Sequence, residues 1–129
     1  MIRVLVADDH PVVRAAVLDL LHETDGVCAI GEAVDGQEAV ELAESARPDV
    51  VLMDVSMPNL SGLEATRLLT GDRPETRVLM FSAECRPSVL QSAREAGAVG
   101  FVAKGCRGVE LLRAIRAVSA GMTSWPTRP

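Results

Sequence analysis

The chain has 129 residues, the size of one domain and too short for two sizeable ones. Hydrophobic residues make up 48% and charged residues 24%, a globular composition that excludes a disordered or collagen-like chain. A net charge of −5 and a scarcity of aromatics (Phe81, Phe101, Trp125 and no Tyr) argue against direct nucleic-acid binding, which needs a basic face or rings for base stacking.

Residues 2–7 read as a first strand, and Pro11 fits the first turn of a helix running to about His22. Residues 27–33 form a second apolar run. Asp35 to Glu38 is a capping-box-like helix start, with Gly36 placed to take the turn. Ala39, Leu42, Ala43 and Ala46 then mark an inward face, Glu38, Glu41 and Glu44 an outward one, and Arg47-Pro48 a stop. Residues 49–53 are the third strand; Val50-Val51-Leu52-Met53 lacks polar alternation, as expected when both faces are covered. Ser61 with Glu64 is a capping box for the third helix, and Gly71 its expected stop. Residues 77–81 are the fourth strand, followed by a helix from about Pro87 to Ala96 and then Gly97. Residues 99–103 are the fifth. The last helix runs from about Gly108 to Ala120, with Leu111, Leu112, Ile115 and Val118 inward, Glu110, Arg113 and Arg116 outward, and Gly121 as stop. Residues 122–129 have no periodicity and read as a linker or frayed end.

This order is (βα)₅ in one α/β domain. It predicts a doubly wound, flavodoxin-like parallel sheet with right-handed crossovers and strand order 2-1-3-4-5. Cys28, Cys85 and Cys106 are far apart and form no CxxC pair, so reduced thiols in a cytoplasmic protein are expected and a structural zinc site is not. The acidic turn at Asp8 argues against a leader peptide. With no apolar run near ~18 residues, no membrane span is expected.

Ligands of such sheets bind beyond the carboxyl ends of the strands. Asp8, Asp9 and His10 follow strand 1, Asp54 follows strand 3, Ser82 follows strand 4 and Lys104 follows strand 5. Like charges ~4 Å apart repel by roughly 4 kcal/mol at an effective dielectric near 20. Such a cluster shifts its pKa values, pairs with a cation or binds a hard metal such as Mg²⁺. Mg²⁺, Lys104 and the Ser82 hydroxyl together can hold three phosphoryl oxygens while a carboxylate acts as nucleophile. His10 could assist at the site, but a surface place at the helix start is the reading expected of it. Cys85 is expected to be inert.

Several stretches carry a family likeness: Val6-Ala7-Asp8-Asp9-His10-Pro11, Asp35-Gly36-Gln37-Glu38-Ala39, Pro48-Asp49-Val50-Val51-Leu52-Met53-Asp54, Met57-Pro58, Ser61-Gly62, and Gly97-Ala98-Val99-Gly100-Phe101-Val102-Ala103-Lys104-Gly105. From Ile2 to about Gly121 the chain resembles the receiver domain of two-component response regulators, and among them the NarL/FixJ (LuxR-type) transcriptional regulators. The resemblance implies a receiver domain at 1–121 and a linker at 122–129 leading towards a C-terminal helix-turn-helix, DNA-binding domain outside this chain. It implies that Asp54 accepts a phosphoryl group from a sensor histidine kinase. Asp8, Asp9, Asp54 and the backbone carbonyl of Ser56 would hold Mg²⁺ (or Mn²⁺), with Asp8 acting through water. Ser82 and Lys104 would contact the phosphoryl oxygens, Ala83 would leave room for them, and Glu84 and Ser56 would flank the site. Ser82 and Phe101 would form the switch pair that controls transcription, and the outer face of the last helix could serve a homodimer.

Three positions depart from the commonest receiver pattern. Ser82 stands where Thr is commoner, Phe101 lacks a hydroxyl, and Gly105 replaces a Pro that usually follows a cis bond, which a non-proline residue disfavours by ~2.5–4 kcal/mol. Two alternatives stay open. One is a receiver-like interaction module that switches without phosphate. The other is an enzyme or cofactor binder on the same fold. A flavodoxin would want a neutral phosphate loop where Asp8-Asp9 stands, and a haloacid dehalogenase-type phosphatase would want a second acid in Asp54-Val55-Ser56.

Overall fold

A computed structural model describes residues 1–126. Its elements are β1 (Ile2–Ala7), α1 (Pro11–His22), β2 (Val27–Ala33), α2 (Gly36–Ala46), β3 (Val50–Asp54), α3 (Gly62–Asp72), β4 (Arg77–Ser82), α4 (Pro87–Ala96), β5 (Gly100–Ala103) and α5 (Gly108–Ser119). The sheet is wholly parallel, in the order β2-β1-β3-β4-β5, as the alternation predicted.

Strand alternation sorts the core into two layers. Leu5, Ala7, Val51, Met53, Val78, Met80 and Phe101 face α2, α3 and α4, whose contact residues are mainly Ala39, Ala43, Ala65, Leu69 and Ala93. Val4, Val6, Val50, Leu52, Leu79, Phe81 and Val102 face α1 and α5, which contribute Val17, Leu21, Leu111, Ile115 and Val118. The register aligns Ala7 with Met53, Met53 with Met80 and Met80 with Phe101. One step beyond that row stand Asp8 and Asp54, so the polar groups collect at the carboxyl edge.

Several boundaries differ from the sequence expectation. β3 starts and ends one residue later, so Asp54 is the last residue of the strand; β4 extends to Ser82 and β5 starts at Gly100. Gly71 does not stop α3, which continues to Asp72 with Arg73 as its cap. Gly36 is needed for a close approach rather than a turn: its N–H donates to the Leu60 carbonyl at 3.0 Å, and a Cβ there would overlap that oxygen. Gly62 is placed likewise. Its N–H donates to the Val55 carbonyl at 2.9 Å, and a Cβ would overlap the carbonyl oxygen of Asp54 itself. The start of α3 is thereby pressed onto the end of β3, and the Ser61–Glu64 capping box fixes its entry.

The aperiodic segment after α5 is not frayed over residues 122–126. Ser124 forms a parallel bridge to Gly100: its N–H donates to the Val99 carbonyl at 3.0 Å and its carbonyl accepts from the Phe101 N–H at 2.9 Å. Trp125 packs against the α2–α4 layer, with the Arg94 guanidinium 4.1 Å above its ring. The free edge of β5 is thus covered, which a short, local backbone pairing achieves without any periodic pattern. Residues 127–129 of the expected linker lie outside the described residues.

The two glycines of α3 predict opposite outcomes. Gly62→Ala lowers stability by about 1–3 kcal/mol through overlap with the Asp54 carbonyl. Gly71→Ala, with nothing within 4 Å of the added methyl, raises it by about 0.5–1 kcal/mol. Urea midpoints at unchanged m-values check both; a neutral Gly62→Ala would mean that this contact is slack.

Candidate functional site

The carboxyl edge brings together Asp8, Asp9, Asp54, Lys104 and His10. Asp8 and Asp54 are buried, 1% and 4% exposed, and Asp9 is half-buried. The Lys104 Nζ lies 2.9 Å from Asp8 Oδ2 and 3.3 Å from Asp54 Oδ2, while its stem carries it over the Phe81 ring at 5.7 Å. One ammonium therefore bridges two buried carboxylates. Asp8 Oδ2, Asp9 Oδ1 and Asp54 Oδ2 are nonetheless buried without a directional hydrogen-bond partner.

Backbone and neighbouring side chains hold the cluster in place. The His10 N–H donates to Asp8 Oδ1 at 2.8 Å. Arg14 forks between the Asp8 carbonyl at 2.7 Å and Glu32 Oε1 at 2.8 Å. The β3–α3 loop is tied across to the α2 N-cap: Asn59, at a left-handed φ of 67°, donates to Asp35 Oδ2 at 2.8 Å. The Glu38 N–H and the Asn59 amide hold the Asp35 carboxyl below its ordinary range.

The two buried carboxyls are pushed apart in pKa. Burial lifts Asp54 to about 6, the Asp8 charge adds to the rise, and Lys104 opposes it. Burial would raise Asp8 too, but the His10 N–H, Lys104 and the His10 ring outweigh it and hold Asp8 below its ordinary value. Asp8 ionises first, and Asp54 is the reluctant anion.

One ligand atom from each of Asp8, Asp9, His10 and Asp54 falls within 4.8 Å of all the others. Three converging oxygens without partners at a buried edge suit a hard divalent cation.

A sequence profile of the response regulator receiver domain matches residues 4–116. The chain belongs to the response regulator receiver family. It is 42% identical to the response regulator GacA of Pseudomonas viridiflava over 94% of this chain and 56% of that protein. It is 38% identical to UvrY of Escherichia coli K12 over the same shares. The chain thus spans about half the length of these relatives. Among solved structures, the receiver domain of the putative response regulator NarL from Mycobacterium tuberculosis superposes with a TM-score of 0.90 at 36% identity, covering 93% of this chain and 97% of that one. A LuxR-family response regulator from Aurantimonas gives 0.92 at 35%, covering 96% and 89%. These likenesses place the receiver in the NarL/FixJ (LuxR-type) branch of two-component signalling proteins.

The other expected site residues surround the acid cluster without entering its ion pairs. Ser82 is buried at the end of β4, and its Oγ accepts from the Glu84 N–H at 3.0 Å. Phe101 is 2% exposed, on the opposite face of the sheet from Phe81. Ser56 and Ala83 are exposed in the adjoining loops. No peptide bond among the described residues is cis, Lys104–Gly105 included.

His10 stands at the helix start and on the surface, as expected, and its ring also reaches the acid cluster. Its side chain is 61% exposed, yet Nδ1 lies 2.9 Å from Asp8 Oδ1, 3.2 Å from Asp9 Oδ1 and 3.6 Å from Asp54 Oδ2. The local signal was Pro11 at the first helical turn: it pins His10 as the N-cap beside two aspartates, and the ring makes no capping bond.

A carboxyl whose folded pKa is raised stabilises the fold while protonated. That contribution is complete below the ordinary 3.8 and is lost as pH climbs through about 6. In chelator-treated protein, Asp54→Asn is therefore more stable than wild type at about pH 7.5, by roughly 1–3 kcal/mol. The difference shrinks as pH falls towards about 4. Thermal melts across that range test it, and equal melting temperatures near neutrality would remove the strain assigned to Asp54.

Proposed function

We propose that this receiver takes a phosphoryl group from the phosphohistidine of a sensor histidine kinase onto Asp54. The observation that carries the reading is the Asp54 carboxylate: buried, with Oδ2 lacking a hydrogen-bond partner and Lys104 Nζ at 3.3 Å. An Asp54 oxygen forms the new bond to phosphorus as the bond to the donor imidazole nitrogen breaks, and the imidazole leaves with that electron pair. The raised pKa of about 6 still leaves Asp54 mostly ionised at neutral pH.

Asp8, Asp9, Asp54 and the Ser56 carbonyl are the groups assigned to hold Mg²⁺ or Mn²⁺. When bound, the ion neutralises charge on the phosphoryl oxygens. Lys104 supplies a second cation from the β5 side, and Ser82, whose Oγ accepts from the Glu84 N–H, has its own O–H left to donate. Lys104 gives up its pairing with Asp54 as it does so. Ser82 and Phe101 are the assigned switch pair, but Phe101 is already packed inward at 2% exposed, so the new charge would bias the Ser82 hydroxyl against a ring that has no inward swing left to make. The output is control of transcription through a C-terminal DNA-binding domain beyond this chain, a reading supported by relatives of which the match covers only 56%. We place self-association on the outer side of α5, where Arg113 and Arg116 share a cavity with Val109 and Met122.

Two experiments test the reading. With a small acyl phosphate and Mg²⁺, intact mass should rise by a single phosphoryl group in wild type and not in Asp54→Asn; persistent labelling of that variant would move the acceptor elsewhere. Lys104→Arg should keep the fold and the charge but lose the phosphorylation-dependent change in size-exclusion behaviour, because a forked guanidinium cannot replace a point charge between two carboxylates. A normal shift in that variant would undo the role assigned to Lys104.

A further inference from the structure

His10 is the exposed side chain that the proposed phosphoryl chemistry leaves without a role. Its ring is also the group nearest to all three aspartates at once: 2.9, 3.2 and 3.6 Å separate Nδ1 from one oxygen of each. Adjacent ligands of one octahedral ion, with bonds of about 2.1 Å, stand about 3 Å apart. The spacing around Nδ1 is that of ligands sharing a cation. Both the backbone N–H, at 2.8 Å, and the ring Nδ1, at 2.9 Å, reach Asp8 Oδ1, so Asp8 keeps a local donor when the ring turns its lone pair to an ion, and Pro11 fixes the chain direction. Two of the three oxygens without hydrogen-bond partners, on Asp9 and Asp54, are among those facing Nδ1.

We infer that His10 Nδ1 is a further ligand of the divalent ion, making this a mixed nitrogen–oxygen site that favours Mn²⁺ over Mg²⁺. The inference rests on the metal-dependent receiver reading and adds a residue that sets metal preference. An all-oxygen site suits Mg²⁺, whereas imidazole adds affinity for transition metals and almost none for magnesium. A ligating Nδ1 presents its lone pair, so the proton sits on Nε2. In that tautomer the same lone pair faces Lys104 Nζ at 3.2 Å. Ion binding at Nδ1 therefore competes with the Lys104–His10 contact and releases Lys104 towards the phosphoryl group. A ring that only hydrogen-bonds Asp8 would need the opposite tautomer and would turn a proton, not a lone pair, to the cluster.

Pulsed electron paramagnetic resonance of the Mn²⁺-loaded chain distinguishes the two. Directly bound imidazole gives nitrogen modulation in wild type that disappears in His10→Ala and His10→Gln. Competition titrations read the preference: the ratio of Mn²⁺ to Mg²⁺ affinity should fall on the order of tenfold in both variants, about 1.4 kcal/mol. Absence of nitrogen modulation in the wild-type spectrum overturns the inference, whatever the variants do. So does an unchanged ratio. Phosphoryl uptake by wild type from an acyl phosphate with Mg²⁺, read by intact mass, keeps the two levels apart. Uptake without nitrogen modulation removes His10 from the ligand set and leaves the receiver reading standing. Neither uptake nor ion binding removes both.

Discussion

Two buried carboxylates and one ammonium govern this molecule. Asp8 and Asp54 stand in the same row of the sheet, and Lys104 lies between them at 2.9 and 3.3 Å. Ligand oxygens of the two carboxylates lie within 4.8 Å of each other, and like charges ~4 Å apart repel by roughly 4 kcal/mol even at an effective dielectric near 20. One lysine cannot neutralise both. The result is asymmetry: Asp8, with the His10 N–H and Lys104, keeps its charge easily, while Asp54 is driven up to about 6. A folded protein tolerates that arrangement only if the surrounding backbone cannot relax it away. The Gly62 N–H bond to the Val55 carbonyl, made where only a glycine fits against the Asp54 carbonyl, and the Asn59–Asp35 bond behind it are the restraints.

The sheet connects this edge to two different surfaces. Phe81, one residue before Ser82, packs on the α1–α5 layer beneath Lys104. Phe101, three residues before Lys104, packs on the α2–α4 layer. A cavity of about 230 Å³ beside it is lined by Cys85, Cys106 and Trp125 among others. The segment carrying Trp125 is bonded to the backbone of Phe101 on one side and stacked under Arg94 of α4 on the other. Displacement of Phe101 or α4 would thus be felt directly by the segment carrying Trp125.

The fold was legible because its code is local and repeated. Unalternated runs such as Val50-Val51-Leu52-Met53, separated by capped helices, admit few topologies besides a parallel doubly wound sheet. Asp8, Asp54, Ser82 and Lys104 were legible because each falls at the end of a strand, where such sheets place ligands. Other features were set by three-dimensional approach and had no sequence period. Gly36 and Gly62 read as turn or helix-start residues, but their constraint comes from carbonyls in distant segments. Gly71 read as a stop, yet the Arg73 N–H bonds back to the Leu69 carbonyl and carries α3 past it. Ser124 needed only one register of backbone pairing to dock, and a polar N-cap residue such as His10 gives no hint of its rotamer.

The cation composition has a structural explanation that the counts alone lack. Twelve of the thirteen basic residues are Arg. Where Arg side chains contact backbone, they do what a planar fork does best. Arg3 donates to the Arg47 and Ala46 carbonyls at 2.6 and 2.8 Å, closing the end of α2. Arg77 donates to the Val118 and Met122 carbonyls, both at 3.2 Å, closing the end of α5. Arg14 holds the backbone of Asp8 while pairing with Glu32. Each of these contacts needs two directed donors in a fixed geometry. Lys104 works under a different constraint, because its charge sits between two carboxylate oxygens and, in the proposed transfer, would then follow a phosphoryl oxygen arriving in the same space. A compact ammonium on a flexible stem can pivot between those positions, whereas a guanidinium bonded along two directions is committed to one. The cations that hold backbone in place are arginines, and the one to which the proposed transfer assigns a move is the chain's sole lysine.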